Sequence, residues 1–438
     1  MKRRLILAAL LIAAAPLCLR ADNRPLQPKP ADPYFEKYVG LLAPGYEGSL
    51  LKKGDRLAII GDSITEQKMY SVIMETYLTA CTPELDLGVR QFGWSGEKAD
   101  GFYARMEQDC LRFDPTVATT CYGMNDHRYV PYTDEIGDRY RDFQTKIVQR
   151  FKEAGVRVVL GSPGTIGKMP GWVKSATGTK EDLNLSLCKL RNIDIEIAKA
   201  EDVRFGDVYW PMLTAGFAAQ QKFGQGYDIY GKDGVHPGWA GQTVMAYAFL
   251  KALGVNGEIG TIEIDLGAGK ASASDGHEVA GCEGGTATLK SRRYPFCAAG
   301  GDPSKDDNIR SAMGLIPFNE ELNRFVLKAT NATAETYTVT WGDQSRDYSR
   351  ADLENGVNLA ADFHVNPFSQ PFQEVWDRVA AKQAYETRQI KDLFHGREGA
   401  ADIEMTAALT EKARQPLADA IKRAMRPVEH AITVAPKG

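Results

Sequence analysis

The pattern of apolar and polar residues divides the chain into two parts of different character. In residues 51–255, apolar runs of strand length alternate with longer segments in which apolar residues recur every three or four positions. The short runs predict buried strands, and the three-and-four spacing predicts amphipathic helices. Strands are predicted near residues 56–60, 87–92, 116–121, 156–161 and 203–209, and helices near 66–80, 97–112, 134–154, 182–201 and 239–253. This alternation predicts a parallel sheet covered by helices on both faces.

Beyond Gly254 the pattern changes to short alternating runs rich in β-branched and aromatic residues, separated by Gly, Asn and Asp turns. Strands are predicted near residues 261–266, 286–290, 325–328, 337–341 and 431–434, and helices near 371–388 and 406–425. Pro416 lies inside the last helix and is expected to kink or split it. Residues 256–438 are therefore predicted to form a C-terminal module of mixed β and helical character. This module either stabilises the first part or binds and positions a polymer, and the sequence leaves both roles open.

The beginning of the chain carries the signals of an exported protein. A positively charged start is followed by an apolar stretch that is too short to span a bilayer. We expect a signal peptide over residues 1–21, cleaved near Ala21, and a mature protein that is periplasmic or secreted. A lipoprotein form anchored through Cys18 is the alternative, although Leu17 stands where a small residue is expected. The proline-rich residues 22–50 are predicted to form an N-terminal arm.

Ser63 stands just after the first predicted strand, in the sequence Gly61-Asp62-Ser63. A serine on such a strand-to-helix turn is exposed at the carboxyl end of the sheet, where open α/β sheets bind their ligands. Serine is also a favoured N-cap residue, so capping of the next helix is the alternative role. The turn by itself does not decide between a nucleophile and a cap.

Asp233 and His236 lie in a turn of sequence Asp-Gly-Val-His-Pro. A serine nucleophile needs a base within hydrogen-bond reach, and the base must itself be held by a third group. An aspartate three residues before a histidine can place both side chains on one turn, with the carboxylate fixing the imidazole tautomer. Of the six histidines, only His236 combines a nearby carboxylate with a Gly/Pro turn and a following apolar helix. Such a turn alone is more often structural, but combined with Ser63 it predicts a nucleophile and its base.

Two further loops follow predicted strands and contain Gly96 and Asn125. A glycine lets a backbone N–H approach a reacting centre, and an asparagine amide supplies a second donor. Together with the N–H of Ser63, these groups predict an oxyanion hole. A plain turn at Gly96 and an Asx-turn at Asn125 are the alternatives.

These blocks together resemble a known family. Four blocks follow the order and relative spacing of the SGNH, or GDSL-type, hydrolases. They are Gly-Asp-Ser at Ser63, Gly96, Gly-Met-Asn-Asp at Asn125 and Asp-Gly-Val-His at His236. The chain resembles an exported bacterial member of this group, which contains carbohydrate acetylesterases, lysophospholipases and thioesterases. The resemblance covers roughly residues 51–255 and implies a three-layer α/β/α, flavodoxin-like domain with a parallel sheet.

The resemblance also implies roles for individual residues. By it, Ser63 is the nucleophile, His236 the base and Asp233 the residue that orients the base. The N–H groups of Ser63 and Gly96 and the side chain of Asn125 form the oxyanion hole. The implied reaction is hydrolysis of a carboxylic ester through an acyl-enzyme, without a cofactor. The chain has glutamate directly after Gly96, where many relatives carry aspartate, and this departure does not touch the chemistry.

The substrate is less well specified than the reaction. An exported protein with an accessory module suits a polymer-linked ester, so we expect a carbohydrate O-acetylesterase that removes acetyl groups from glycans. Aromatic residues near the motifs are candidate sugar platforms, with packing as the alternative: Trp94, Trp172, Trp210, Tyr230 and Trp239. Asp62, Glu66 and Asp126 are further candidate substrate-binding residues that could instead cap helices. The alternatives are a lysophospholipase, lipid esterase or thioesterase, and, in another class, a non-catalytic glycan-binding protein on a hydrolase scaffold.

Composition adds several bounds. The 438 residues are 43% apolar, enough for two cores. A formal charge of −4 gives no electrostatic reason to expect nucleic acid or an anionic membrane as a partner.

The chain has no His-Glu-x-x-His and no Cys-x-x-Cys sequence, so no metal site is expected. Cys282 and Cys297 flank a Gly-rich segment and are candidates for a disulfide bond, with free thiols as the alternative. The sequence does not indicate an oligomeric state.

Overall fold

A computed structural model describes residues 24–298 and 300–437 of the chain. The predicted signal peptide, its cleavage near Ala21 and the alternative anchor at Cys18 lie outside the described residues. Of the predicted N-terminal arm, residues 24–50 are described. Phe35 and Tyr38 of this arm are buried.

A parallel five-stranded sheet lies at the centre of the first part. Its strands are β1 (Arg56–Gly61), β2 (Gly88–Gln91), β3 (Val117–Cys121), β4 (Arg157–Gly161) and β5 (Arg204–Gly206). They lie in the order β2-β1-β3-β4-β5, and every neighbouring pair is parallel. The chain places β2 on one side of β1 and β3 on the other, so the strand order reverses at β1. In open α/β sheets this switch point is where ligands bind, at the carboxyl ends of the strands.

Helices cover both faces of this sheet. They are α1 (Ser63–Glu66), α2 (Tyr70–Ala80), α3 (Ala99–Asp109), α4 (Asp134–Glu153), α5 (Lys180–Ala200), α6 (Tyr209–Phe223) and α7 (Trp239–Leu253). α2 packs beside α7, and α4 packs between α3 and α5. Successive β1 residues enter opposite cores, with Leu57 and Ile59 in one and Ala58 and Ile60 in the other. The predicted α/β fold with a parallel sheet between helical layers is confirmed.

Two elements of the first part differ from the sequence-based prediction. The helix predicted near residues 66–80 is interrupted, because Lys68 adopts a left-handed backbone conformation with φ of 57° between α1 and α2. The strand predicted to continue to residue 209 ends at Gly206, and α6 follows it without having been predicted. α6 contains Pro211 in its first turn, where a helix needs no backbone N–H donor, so the proline does not prevent the helix.

The C-terminal part contains two further sheets. Its strands are β6 (Glu258–Asp265), β7 (Lys270–Ala273), β8 (His277–Glu283), β9 (Thr286–Ser291), β10 (Arg324–Thr330), β11 (Thr336–Trp341), β12 (Gln344–Ser349), β13 (Val357–Asn358) and β14 (Val428–Pro436). One sheet has the order β13-β10-β6-β7, and the other has the antiparallel order β12-β11-β14-β9-β8. The last strand, predicted near residues 431–434, lies at the centre of the second sheet. β7, β8, β12 and β13 were not predicted.

The C-terminal part also contains helices, some of which pack on the first part. They are α8 (Ile309–Met313), α9 (Phe318–Leu322), α10 (Arg350–Asn355), α11 (Leu359–Asp362), α12 (Ser369–Arg388), α13 (Arg397–Ala401) and α14 (Ile403–Ala424), with a π-helical segment at Gln389–Phe394. α12 lies against α2 and β2, and α14 lies against α12. The Gln383 side chain both accepts a hydrogen bond from the Ser71 hydroxyl at 2.7 Å and donates one to the Ser71 carbonyl at 3.1 Å.

Two expectations for the C-terminal part are corrected. α14 runs through Pro416 without splitting, and its residues Thr410, Arg414 and Ile421 are buried on both sides of the proline. Tertiary packing therefore outweighs the cost of about 3 kcal/mol that an internal proline imposes on a helix. Cys282 and Cys297 are both free thiols, so the candidate disulfide bond is not formed. Within the described residues, no helix is both long enough and apolar enough to cross a membrane.

Candidate active site

Ser63 is the first residue of α1, directly after β1 ends at Gly61. The N-cap of α1 is Asp62, whose carboxylate accepts a hydrogen bond from the Ile64 N–H at 3.0 Å. Asp62 therefore takes the capping role that the sequence left open for Ser63. The Ser63 hydroxyl remains available for another partner.

The Ser63 hydroxyl meets the imidazole of His236. The Ser63 Oγ lies 2.7 Å from His236 Nε2, and His236 Nδ1 lies 2.8 Å from Asp233 Oδ2. An ionised carboxylate only accepts hydrogen bonds, so Nδ1 carries the proton and Nε2 is free to accept from the serine hydroxyl. The structure thus brings the three residues, which come from two distant parts of the sequence, into one continuous hydrogen-bonded chain.

The turn that carries Asp233 and His236 is fixed by its own backbone. Asp233 Oδ1 accepts hydrogen bonds from the N–H groups of Val235 and His236, both at 2.9 Å. Partial burial raises the pKa of Asp233, but these N–H groups and the His236 ring outweigh it and hold the pKa below its usual range. Gly234 has a φ of 82°, and a Cβ there would lie 2.8 Å from the Lys168 backbone nitrogen. The turn therefore requires glycine at this position and keeps Asp233 ionised beside the imidazole.

Gly96 lies in an exposed turn after β2, close to the serine helix. The turn approaches α1 so closely that a Cβ on Gly93 would lie 2.2 Å from the Glu66 backbone nitrogen. The Trp94 N–H donates to the Gly61 carbonyl at 3.0 Å, which ties the turn to the end of β1. Among the described residues, the Gly96 N–H has no hydrogen-bond acceptor. It is a backbone donor available to a ligand.

Asn125 lies on the neighbouring loop after β3, and its amide has a fixed orientation. Its Nδ2 donates to the Glu97 carbonyl at 3.0 Å and to Asp62 Oδ2 at 3.3 Å. Its Oδ1 accepts a hydrogen bond from the Tyr129 hydroxyl at 3.4 Å. Tyr129 and Arg128 both have positive φ, of 57° and 54°, which places strain in this loop, a feature that concentrates at functional sites.

A buried ion pair that the sequence did not reveal supports the Gly96 turn. Arg105 on α3 donates to both carboxylate oxygens of Glu97, at 2.6 and 2.7 Å, and to the Phe92 carbonyl at 2.8 Å. The Tyr122 hydroxyl donates to the same Glu97 carboxylate at 2.6 Å. The bidentate geometry fixes the two side chains relative to each other, and the pair thereby supports the turn that contains Gly96. No local signal marks this ion pair, because Glu97 and Phe92 lie outside α3.

Three of the predicted substrate-binding residues have carboxylates that are occupied by protein groups. Asp62 caps α1, and Asp126 accepts hydrogen bonds from the Ala99 and Gly123 N–H groups, both at 3.0 Å. Burial raises the pKa of Asp62 to about 7 and that of Asp126 to about 6. Glu66 accepts hydrogen bonds from Ser95 and Lys391.

Two of the candidate tryptophans, Trp94 and Trp172, differ in their surroundings. Trp94 is half-buried, with the His395 ring at 4.9 Å and the Arg105 guanidinium at 5.1 Å from its ring centroid. Trp172 is 48% exposed, and its ring lies 5.5 Å from the His236 ring and 6.3 Å from that of Tyr129. Of the eight candidate substrate-binding residues, only Trp172 presents an exposed surface beside His236. The other aromatic candidates, Trp210, Tyr230 and Trp239, are buried or half-buried.

No group of three or more His, Cys, Asp or Glu side chains arranged to hold a metal ion occurs among the described residues.

Comparison with known proteins identifies the domain that carries this site. Residues 59–244 match the model of the GDSL-like lipase/acylhydrolase family, and this range contains Ser63, Gly96, Asn125, Asp233 and His236. This part of the chain therefore carries a GDSL-like lipase/acylhydrolase domain. No curated protein sequence matches the chain.

One solved structure shares the fold over most of the chain. A gut microbial diltiazem-metabolizing enzyme is 22% identical, with a TM-score of 0.70, over 90% of this chain and 99% of its own. The fold is thus shared across both the first part and the C-terminal part. An acetylxylan esterase from Geobacillus stearothermophilus is 23% identical, with a TM-score of 0.38, over 47% of this chain and 96% of its own.

Proposed function

We propose that the protein is a serine esterase in which Ser63, His236 and Asp233 act as a catalytic triad. The observation that carries this proposal is the continuous hydrogen-bonded chain from the Ser63 hydroxyl through the imidazole to the Asp233 carboxylate, at 2.7 and 2.8 Å. A serine hydroxyl is a weak nucleophile, and a neutral imidazole nitrogen at this distance can take its proton as the oxygen attacks.

In the proposed mechanism, Ser63 Oγ attacks the ester carbonyl while His236 Nε2 accepts its proton. Asp233 stabilises the imidazolium, because its charge is held next to Nδ1. The negative charge on the tetrahedral intermediate is stabilised by the N–H groups of Ser63 and Gly96 and by the Asn125 amide. The amide hydrogen that makes the longer contact, to Asp62 at 3.3 Å, is the one that we expect to donate to the oxyanion. His236 then protonates the alcohol, and water releases the acid from the acyl-enzyme by the same steps.

We further propose that the substrate is an O-acetylated glycan. The segment that carries Trp172, residues 171–179, is mostly exposed and, apart from Trp172, rich in small and polar residues. The exposed face of Trp172 lies next to the base, and an aromatic face is a suitable platform for a sugar ring. A long acyl chain, in contrast, is bound in an enclosed apolar pocket. These features favour a small acyl group on a large, polar alcohol over a lipid or a long-chain thioester.

The test is a substrate series with the full chain. Rates on p-nitrophenyl acetate and p-nitrophenyl octanoate are compared, followed by acetate release from acetylated glycans, with the Ser63→Ala variant as the control. We expect faster hydrolysis of the acetate than of the octanoate, and acetate release from glycans. Preference for the octanoate or for a lysophospholipid would support the lipid esterase. No turnover of any ester, together with retained glycan binding, would support the non-catalytic alternative.

Export is a separate proposal that rests on the sequence of residues 1–21. N-terminal sequencing of the protein recovered from the producing cells tests it directly. We expect the mature chain to begin at Asp22. A chain that keeps residues 1–21, or one that begins at a lipid-modified Cys18, would contradict this proposal.

A further inference from the structure

A segment of the C-terminal part lies directly on the loops of the active site. The π-helical segment Gln389–Phe394 buries Ile390 and Phe394 in the core that also contains Phe102 and Met106 of α3. The Gln389 side chain accepts a hydrogen bond from Arg90 of β2 at 3.0 Å, and the Phe394 ring stacks on Phe113 at 6.0 Å. π-Helical turns are rare and occur frequently at functional sites. These contacts fix the position of Lys391, which lies in the middle of the segment.

Lys391 reaches from this segment to the serine helix. Its ammonium donates to Glu66 Oε1 at 2.7 Å and lies 5.3 Å from the Trp94 ring centroid. The side chains of Lys391 and Glu66 are 27% and 17% exposed, so the pair is partly shielded from water. Shielding strengthens an ion pair relative to a fully exposed one. The two residues are 325 positions apart in the sequence.

Glu66 connects this ion pair to the oxyanion turn. Its second oxygen, Oε2, accepts hydrogen bonds from the Ser95 N–H and from the Ser95 hydroxyl, the latter at 2.6 Å. Ser95 immediately precedes Gly96, and Glu66 lies one helical turn after Ser63 on α1. Partial burial raises the pKa of Glu66, but hydrogen bonds from Lys391 and Ser95 outweigh burial and leave the pKa below its usual range. One carboxylate thus holds the Gly96 turn against the serine helix.

We propose that Lys391 is a positioning residue through which the C-terminal part completes the active site. Lys391 orients Glu66, Glu66 holds Ser95, and Ser95 fixes the direction of the neighbouring Gly96 N–H. This inference rests on the proposed esterase function, because it concerns the oxyanion hole of that reaction. Without Lys391, the Glu66 carboxylate is free to turn toward water and the Gly96 turn loses its anchor. Oxyanion stabilisation depends on donors held at the correct position, so the chemical step slows while ground-state binding of a small ester persists.

The chain offers a matched control. Lys422 on α14 also forms an ion pair with a carboxylate of the first part, Asp86, at 2.8 Å. The side chains of Lys422 and Asp86 are both more than half exposed. Asp86 follows α2 and lies away from the Gly96 turn. If activity depends only on general contact between the two parts of the chain, replacing either lysine should reduce it. If it depends on the oxyanion turn, only the replacement of Lys391 should reduce it.

The experiment compares Lys391→Met, Lys391→Arg, Glu66→Gln, the double variant Lys391→Met/Glu66→Gln and Lys422→Met in the full chain. Hydrolysis of p-nitrophenyl acetate is expressed per active site titrated with a phosphonate, which corrects for any unfolded fraction. For Lys391→Met we expect kcat to fall about 10- to 100-fold, less than the loss of an oxyanion donor itself, with KM changed less than about twofold. Lys391→Arg should restore most of the rate. The double variant should be no slower than the slower single variant, because both residues act in one chain of contacts.

Three results would overturn the proposal: kcat for Lys391→Met within about twofold of the unsubstituted chain, equal losses in Lys391→Met and Lys422→Met, or losses that multiply in the double variant. If Lys391→Met does not fold, Lys391→Arg and Glu66→Gln decide, since near-normal kcat in Glu66→Gln contradicts the proposal. An unsubstituted chain that hydrolyses no ester would instead refute the proposed function, and this inference with it. An active unsubstituted chain with an equally active Lys391→Met variant refutes only this inference.

Discussion

The Lys382 ammonium of α12 donates a hydrogen bond to the Val89 carbonyl of β2 at 2.6 Å, and thereby a side chain of the C-terminal part covers the edge of the first sheet. Arg414 of α14 donates to the same carbonyl at 3.2 Å, and the Gln91 N–H donates to Glu386 at 3.3 Å. β2 is the edge strand on this side of the sheet. An open edge exposes unpaired backbone groups that can pair with other chains. In this protein, charged side chains of α12 and α14 satisfy those groups.

Replacement of Lys382 by methionine should strongly destabilise the protein. The Lys382 ammonium also lies 3.0 Å from Glu75 and 2.7 Å from Glu386, and the three side chains are at most 4% exposed. Lys382→Met leaves both carboxylates buried with less compensation, which typically costs about 3–5 kcal/mol of unfolding free energy. Urea unfolding measures this loss. The exposed pair of Lys422 provides the control, since Lys422→Met should cost less than about 1 kcal/mol. Equal, small losses in both variants would contradict the importance of the buried cluster.

A chain that ends at residue 255 should be unstable. Without α12 and α14, the edge of β2 and the face of α2 that contacts α12 become exposed to water. We expect a lower melting temperature and similar relative losses of activity on p-nitrophenyl acetate and on an acetylated polymer. A shortened chain that keeps its melting temperature and its small-ester activity, but loses activity on the polymer, would instead assign the C-terminal part to polymer binding.

Two buried histidines link the C-terminal sheets through a single hydrogen-bonded chain. The Trp341 indole N–H donates to His430 Nδ1 at 3.2 Å, so His430 Nε2 carries the proton and donates to the Ser291 hydroxyl at 2.9 Å. The serine hydroxyl in turn donates to His277 Nδ1 at 2.8 Å, and His277 Nε2 donates to the Ile259 carbonyl at 3.0 Å. Each imidazole therefore accepts at Nδ1 and is required in its neutral form.

This chain predicts a loss of stability in acid. Burial, followed by the neighbouring His277, lowers the pKa of His430 to about 3, and burial also lowers the pKa of His277. Both histidines bind a proton near pH 6.5 when the chain unfolds, so their contribution is present above that pH and is lost as the pH falls toward the folded-state pKa. The protonation of one such histidine in the unfolded chain lowers the free energy of unfolding by about 1.4 kcal/mol between pH 7.5 and 5.5. His430→Asn should reduce the change in unfolding free energy between pH 7.5 and 5.5 by about this amount, although it lowers stability at pH 7.5. An unchanged slope would contradict the assignment.

Replacement of Trp172 should affect sugar esters more than small aryl esters. The exposed Trp172 ring lies beside His236, where the alcohol part of the substrate leaves. Trp172→Ala should lower kcat/KM on an acetylated oligosaccharide about 10-fold, the value of one aromatic contact, and change p-nitrophenyl acetate hydrolysis less than about threefold. Tyr103, an aromatic residue of α3 that is 38% exposed, provides the control as Tyr103→Ala. Parallel losses on both substrates would show that Trp172 serves the triad instead of the sugar.

The sequence predicted the parts of the site that depend on local order. Ser63, Gly96 and Asn125 each follow a predicted strand, and parallel strands bring their carboxyl ends to one edge of the sheet. The Asp233 and His236 pair is likewise contained in one turn. Strand and loop signals, combined with the family resemblance, therefore indicated which residues meet.

The sequence did not predict the contacts that join the two parts of the chain. Lys391 and Lys382 contact residues about 300 positions away, and their helices carry the abundant charge of an ordinary solvated surface. Nothing in the local pattern indicates that these charges are buried against β2 and α1. α6 was also missed, and the proline in its first turn, Pro211, costs no helical hydrogen bond there.

The central claim is that Ser63 is the nucleophile of a Ser-His-Asp triad, and covalent labelling by a fluorophosphonate tests it most directly. Intact-mass analysis and peptide mapping of the full chain should show one adduct per molecule, located on Ser63, with loss of ester hydrolysis in step with labelling. Ser63→Ala should neither label nor turn over, with a loss of about 10⁴- to 10⁶-fold in kcat, and His236→Ala should label far more slowly. An adduct on another residue, or full hydrolysis by a folded Ser63→Ala variant, would contradict the account.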